Sequence, residues 1–182
     1  KKKLERVRLE LQLQNMIKIF NSLFVTMFGL GKVKLIPGTF GSFTTVIILY
    51  YLFHIANISS IIILIILIII FIYSFFAVAS HIQYNENKDP GEIIIDEFIG
   101  QSIPIYLYEI SHGTEKTSDE AIIFYLICFV LFRYFDIMKP FPVNYFDKNF
   151  KNSFGVIMDD VCAGLYVVLS LICFMLLKNF FI

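Results

Sequence analysis

From Ile61 to Ile72 every side chain is aliphatic or aromatic, and the uncharged run extends from Ser59 to Ser80. A helix needs about 20 apolar residues to cross the hydrocarbon core of a bilayer. Within lipid it also satisfies its own backbone hydrogen bonds. Four more candidates share the character of this run: Ser42–Ile58, Phe98–Ile110, Ala121–Phe135 and Val161–Phe181. The third and fourth runs in chain order, Phe98–Ile110 and Ala121–Phe135, are short, and Pro104 interrupts the former. They can extend to include their flanking acids where the bilayer is thin or wet. Hydrophobic residues make up 58% of the 182 residues and charged residues 16%, against about 45–50% and about 25% in soluble domains. Mean hydropathy is +0.75. The expected fold is therefore all-α, a polytopic membrane bundle of about five hydrophobic helices. Cys128, Cys162 and Cys173 lie inside apolar runs without metal-ligand spacing, so they read as small hydrophobes.

The N-terminus differs from the rest. Residues 1–26 form a basic, partly amphipathic segment in which Lys1, Lys2, Lys3, Arg6, Arg8 and Lys18 suit an anionic leaflet. Its basic start runs into mixed polar sequence, so no cleavable signal peptide is expected. Leu23–Leu30 is apolar but too short to span, and is expected to be an interfacial helix. Residues 27–182 then form the membrane domain.

Charges gather between the apolar runs. A glycine-rich stretch, Gly29 to Ser42, carries Lys32 and Lys34 and precedes a helix, a plausible phosphate cradle that lacks the ending of a P-loop. Asp96 and Glu97 open the third run, after a Pro90-Gly91 turn. Arg133, Asp136 and Lys139 end the fourth, followed by Pro140 and Pro142. Their spacing of three puts Arg133 and Asp136 on one helix face, with Lys139 continuing it. Asp159 and Asp160 open the last run. Capping alone accounts for one acid at a helix start, but paired acids at two mouths exceed what caps need. Ionisable residues at a membrane edge are costly and mark function.

Five crossings put all these clusters on one side. Thirteen of the fifteen Lys and Arg residues share it, with Lys116 and Lys178 on the other. By the positive-inside rule that side is cytoplasmic. The expected location is the inner (cytoplasmic) membrane, multi-pass, with the site facing the cytoplasm. Convergent carboxylates suit a hard cation such as Mg2+, which bridges to substrate phosphate, while Arg133 and Lys139 would neutralise phosphate charge. These residues suggest metal-dependent chemistry on a phospholipid headgroup. The alternative is a small membrane transporter or structural membrane subunit with an acidic cytoplasmic rim. A transporter site normally lies near mid-membrane instead. His54, His81 and His112 have no nucleophile context and read as structural or interfacial. Neither a Ser-Gly-His type motif nor the CDP-alcohol phosphotransferase pattern of spaced aspartates is present.

Four segments occur in order: Pro37-Gly38-Thr39-Phe40-Gly41-Ser42, Asp89 to Gly100, Phe132 to Pro142, and Gly155 to Gly164. Together they resemble the bacterial phosphatidylglycerophosphatase A family over roughly residues 27–175. The resemblance implies Mg2+-dependent removal of the terminal phosphate of phosphatidylglycerophosphate, giving phosphatidylglycerol in phospholipid biosynthesis. It carries over to Thr39, Asp96, Glu97, Arg133, Asp136, Lys139, Asp159 and Asp160. Asp96, Glu97, Asp159 and Asp160 are then the expected metal ligands, with Asp136 as ligand or base. Asp96, Asp136, Asp159 and Asp160 make up the catalytic set. Thr39, Arg133 and Lys139 are expected to bind the phosphate. Attack by water competes with an aspartyl-phosphate route. The expected partners are a phospholipid substrate and the membrane, not nucleic acid, and the sequence fixes no oligomeric state.

Overall fold

The computed structural model describes residues 2–33, 35–84, 91–112 and 118–181. Among them there are seven α-helices and no strand. They are α1 (Lys2–Val25), α2 (Pro37–Tyr50), α3 (Ser60–Tyr84), α4 (Ile95–His112), α5 (Ser118–Met138), α6 (Val143–Asn149) and α7 (Ser153–Phe181). Asp89, Pro90, Lys34 and Lys116 lie outside the described residues, as does the side chain of His112.

Four segments are long and apolar enough to cross a membrane: Pro37–Ile55, Ser60–Gln83, Asp119–Met138 and Ser153–Phe180. Helix α4 is not among them, because its 18 residues hold Asp96, Glu97 and Glu109. Even so, it runs the length of the bundle. At one end its Asp96 and Glu97 meet Asp160 of α7. At the other, Glu109 accepts a hydrogen bond from Tyr125 of α5 at 3.0 Å and lies 3.2 Å from His54 after α2. A π-helical turn, Tyr51–Ile55, extends α2 and places His54 there. Helices α2, α4 and α7 thus start at the acidic end, whereas α3 and α5 return to it. Five traverses of the bundle are present, in the alternation expected from crossing parity.

Several sequence boundaries shift. The expected interfacial helix Leu23–Leu30 does not form. Helix α1 stops at Val25, and Met27, Phe28 and Gly29 take positive φ angles of 44°, 59° and 94°. The Thr26 hydroxyl donates to the Ser22 carbonyl at 2.8 Å and accepts from the Gly29 N–H at 3.1 Å, so the chain turns sharply. The basic segment is instead one long helix, exposed through residue 20. It is tied to α3 by a hydrogen bond donated from Tyr73 to Asn21 at 2.6 Å and by the Phe24–Tyr73 edge contact. The glycine-rich stretch is not all loop: Pro37 starts α2, as proline at a first helical turn favours, and Gly38 to Ser42 are helical. Asp159 and Asp160 do not open α7 either. That helix begins nearly two turns earlier, where the Asn152 side chain accepts from the Gly155 N–H at 3.1 Å.

The core has two parts. Leu49, Ile63, Ile105, Tyr125, Phe132 and Val167 pack through the middle of the bundle. Val25, Ile94, Phe98 and Ile157 pack under the acidic end. In lipid, helices associate by close packing more than by the hydrophobic effect, which favours small residues at their contacts. Helices α4 and α7 meet in this way. A Cβ on Gly164 would strike the Gly100 carbonyl, and one on Gly100 would strike the Asp160 carbonyl and approach the Phe132 ring to 2.7 Å. This approach brings the start of α4 beside Asp160.

Candidate active site

A cavity of about 300 Å³ opens at the acidic end between α2, α4, α5 and α7. Its lining includes Asp96 and Glu97 from α4, Arg133 and Asp136 from α5, and Asp159 and Asp160 from α7. Lys139, Asp147 and Lys151 line it as well. Segments more than sixty positions apart in the chain thus supply one site. Of the residues expected from the sequence, all the charged ones border this space. Thr39, half-buried on the first turn of α2, is not among the lining residues, whereas its neighbours Pro37 and Gly38 are.

The deepest part is anionic. Ligand oxygens of Asp96, Glu97 and Asp160 all lie within 4.8 Å of one another. Asp96 and Asp160 are only 8% and 4% exposed. Bringing three carboxylates together away from water costs several kcal/mol unless cations or donors compensate. Compensation within the chain is incomplete, since Glu97 Oε2 and Asp160 Oδ1 are buried without a hydrogen-bond partner. The two acidic pairs share a local geometry. The Glu97 N–H donates to Asp96 Oδ1 at 3.1 Å, and the Asp160 N–H donates to Asp159 Oδ1 at 3.0 Å. Each first acid is thereby fixed by the backbone. An oxygen-rich, buried and under-neutralised donor set of this kind fits a hard divalent cation.

Gly38 makes room for this arrangement. A Cβ there would strike the Glu97 carboxylate and come within 3.0 Å of the Arg133 guanidinium. The glycine-rich stretch therefore serves as a thin wall, and close approach of a helix is what it provides. One turn on, the Ser42 hydroxyl donates to the Gly38 carbonyl at 2.9 Å and lies 3.5 Å from Arg133 Nη1.

The expected phosphate-binding cations are already engaged. Arg133 holds Asp136 at 2.6 Å, the i,i+3 pair its spacing predicts, and reaches Glu97 Oε1 at 4.0 Å. Lys139 does not continue that helix face, because α5 ends at Met138 and Lys139 has a φ of 43°. The left-handed turn directs its Nζ to Asp147 at 2.7 Å and Asp159 at 3.3 Å. Partial burial works against the ammonium charge, but the hydrogen bond to Asp147 and the charge of Asp159 outweigh it and hold the Lys139 pKa above its usual value. Asp159 thus pairs with Lys139, while Asp96, Glu97 and Asp160 form the tight group.

Two residues were not singled out from sequence. Asp147 sits on the short helix α6 and fixes Lys139. Lys151, exposed at the rim, lines the cavity, and no carboxylate among the described residues lies within ion-pair distance of it. Both follow the proline turn after Lys139. Charge clustering between Lys139 and Asp159 is the signal that points to them.

The sequence model of one family, Phosphatidylglycerophosphatase A, matches residues 23–175. The chain belongs to the phosphatidylglycerophosphatase A family. A Haemophilus influenzae protein named "Phosphatidylglycerophosphatase A" is 41% identical over 81 residues, covering 44% of this chain and 44% of that protein. The Escherichia coli protein of the same name is 29% identical over 137 residues, covering 75% and 73%. A Bacteroides thetaiotaomicron protein named "Putative phosphatidylinositol-3-phosphatase" is 31% identical over 143 residues, covering 78% and 84%. No solved structure matches the chain significantly. The family match begins at residue 23, so most of α1 lies outside it.

Proposed function

We propose that this phosphatidylglycerophosphatase A family member is a Mg2+-dependent lipid phosphatase. It removes the terminal phosphate of phosphatidylglycerophosphate and leaves phosphatidylglycerol, in phospholipid biosynthesis at the cytoplasmic face of the inner membrane. One observation carries this reading: three buried carboxylates and three basic residues border a single cavity at one end of an apolar bundle. A lipid lying in the membrane can present its headgroup there while its acyl chains stay in the bilayer.

Asp96, Glu97 and Asp160 would hold the cation, with Asp159 beside them. When bound, Mg2+ supplies Lewis-acid stabilisation of the phosphoryl oxygens and makes a nearby water more acidic. The chain's own residues do the rest. Lys151 is free to receive the terminal phosphate. Arg133 fixes Asp136 at 2.6 Å, so that carboxylate is oriented at the cavity wall to take the proton of the attacking water. Water oxygen bonds to phosphorus, the ester oxygen leaves with the glycerol, and a proton from solvent or an acid completes the alcohol. Lys139 positions Asp159 through their ion pair and keeps a positive charge beside the phosphate. Thr39, just outside the lining, supports the α2 wall.

The test is phosphate release by the purified protein from phosphatidylglycerophosphate, phosphatidic acid and phosphatidylinositol 3-phosphate, with Mg2+ or EDTA. Preferential, EDTA-sensitive hydrolysis of the first is the expected result. Preference for phosphatidylinositol 3-phosphate, which the Bacteroides relative's name suggests, would reassign the substrate. No hydrolysis of any lipid would leave the transporter or structural alternatives.

A further inference from the structure

Beside the acidic cavity lies a second, wider groove of about 550 Å³, lined by Gly31, Lys32, Val33, Pro37, Gly91 and Glu92. It shares Pro37 and Gly91 with the first cavity, so the two spaces adjoin across one wall. Its floor is firmly built. Gly31, on the 3-10 turn Leu30–Lys32, presses so closely on the Glu92 carbonyl that no side chain fits between them. The Ile94 N–H donates to the Val25 carbonyl at 3.0 Å, which ties the strip after Glu92 to the end of α1. The Glu92 carboxylate is turned to the buried His81 imidazole at 2.9 Å. Lys32 is exposed in the groove, with no carboxylate among the described residues within ion-pair distance. Phe28, Leu35 and Ile36, exposed by 88%, 76% and 65%, flank the same turn and suit contact with acyl chains.

We infer that this groove is a second phosphate subsite, which binds the diester phosphate linking glycerol to the diacylglycerol of the lipid. The inference rests on the proposed lipid phosphatase reading. Such a substrate carries two phosphates joined by a glycerol bridge, and the structure offers two adjoining spaces, each with a lysine that has no ion-pair partner among the described residues. Lys151 faces the space that holds the carboxylates. Lys32 faces the one without catalytic groups, where a phosphate can be held and not cleaved. A charge-assisted hydrogen bond from Lys32 to the diester would set which phosphate enters the acidic cavity. Lys32 is thus a specificity-determining residue that distinguishes a glycerophosphoryl lipid from a lipid with only a monoester.

Short-chain phosphatidylglycerol carries the diester and lacks the monoester, so it probes the groove alone. Short-chain phosphatidic acid carries a monoester and lacks the diester, so it is the comparison for the acidic cavity. Binding of each is measured by calorimetry on the full chain in detergent, for the wild type, Lys32→Gln, Lys32→Arg and Val33→Phe. Lys32→Gln is expected to weaken phosphatidylglycerol about tenfold and leave phosphatidic acid unchanged. Lys32→Arg retains binding, and Val33→Phe, which narrows only the groove, weakens it. In turnover, Lys32→Gln raises KM for phosphatidylglycerophosphate with kcat unchanged and does not alter hydrolysis of phosphatidic acid. Equal phosphatidylglycerol binding by wild type and Lys32→Gln overturns the subsite. So does an equal loss on phosphatidic acid, which marks general surface attraction. If the wild type hydrolyses no lipid, the phosphatase reading has failed, whereas the phosphatidylglycerol arm still decides the groove.

Discussion

The proposed chemistry turns on Asp96, Glu97 and Asp160, whose clustered oxygens include Glu97 Oε2 and Asp160 Oδ1, both buried without a hydrogen-bond partner. Asp96→Asn or Asp160→Asn removes a charged oxygen from the group. Losing an outer partner of a metal ligand already costs 10–100-fold. Each variant is therefore expected to lose phosphate release by more than about 100-fold while staying in the membrane fraction. Full activity in both would sink the metal assignment. Lys151 predicts a different pattern. It sits at the rim with no carboxylate among the described residues in ion-pair distance, so Lys151→Gln should raise KM about tenfold with kcat within about twofold, and Lys151→Arg should restore it. A fall in kcat alone would place the lysine in the chemical step and not in capture. These roles were unequally legible in the sequence. The acids and Arg133 stood out because charges at the ends of apolar runs are costly. The free state of Lys151 did not, since it depends on Asp147 and Asp159 having taken Lys139.

At the scale of helices, the closest approach is between α4 and α7. The Gly100 and Gly164 contact leaves no space for a side chain. Gly164→Val is expected to destabilise the protein by about 1–3 kcal/mol through overpacking. It should also cut activity, because Asp160 lies one turn before Gly164. Thermal unfolding in detergent measures the first effect and phosphate release the second. The opposite end offers a control. Glu109→Leu strips the acceptor from the buried Tyr125 hydroxyl and the partner from His54. It should cost about 1–3 kcal/mol and leave kcat unchanged, since Asp96 and Glu97 lie more than three turns away on the same helix. Loss of kcat without loss of stability would show that the two ends are coupled. The apolar runs located α3 and α5 in the sequence to within about a turn of their ends, and α7 at its C-terminal end. They misplaced the starts of α2 and α7, because hydropathy begins where lipid does, whereas a helix begins where its caps and first turns permit. Pro37 and Asn152 set those starts.

For the whole molecule, the alternation of α2, α3, α4, α5 and α7 separates two ends of different character. One holds the acidic cavity, and the other holds the His54–Glu109–Tyr125 network. Helix α4 decides whether these ends lie on opposite sides of a membrane. Its 18 residues span about 27 Å, close to the hydrocarbon thickness of about 30 Å, although its acids keep it from reading as an ordinary span. Surrounded by α2, α5 and α7, it can hold those acids against protein and the aqueous cavity instead of lipid. Labelling of introduced cysteines tests this. Asn57→Cys lies in the exposed turn beside the far end, and Asn149→Cys lies in the exposed segment next to the cavity. Cys128 and Cys162 are buried, so only the exposed Cys173 needs replacement, by alanine. With the cavity facing the cytoplasm, a membrane-impermeant maleimide added to spheroplasts should modify Asn57→Cys at once. Asn149→Cys should react only after the membrane is opened. The reverse pattern would invert the orientation drawn from the basic residues. Reaction of both from outside would mean that the five helices traverse the bundle without carrying its two ends to opposite faces, and the lipid would then have to reach the acidic cavity from the outer surface.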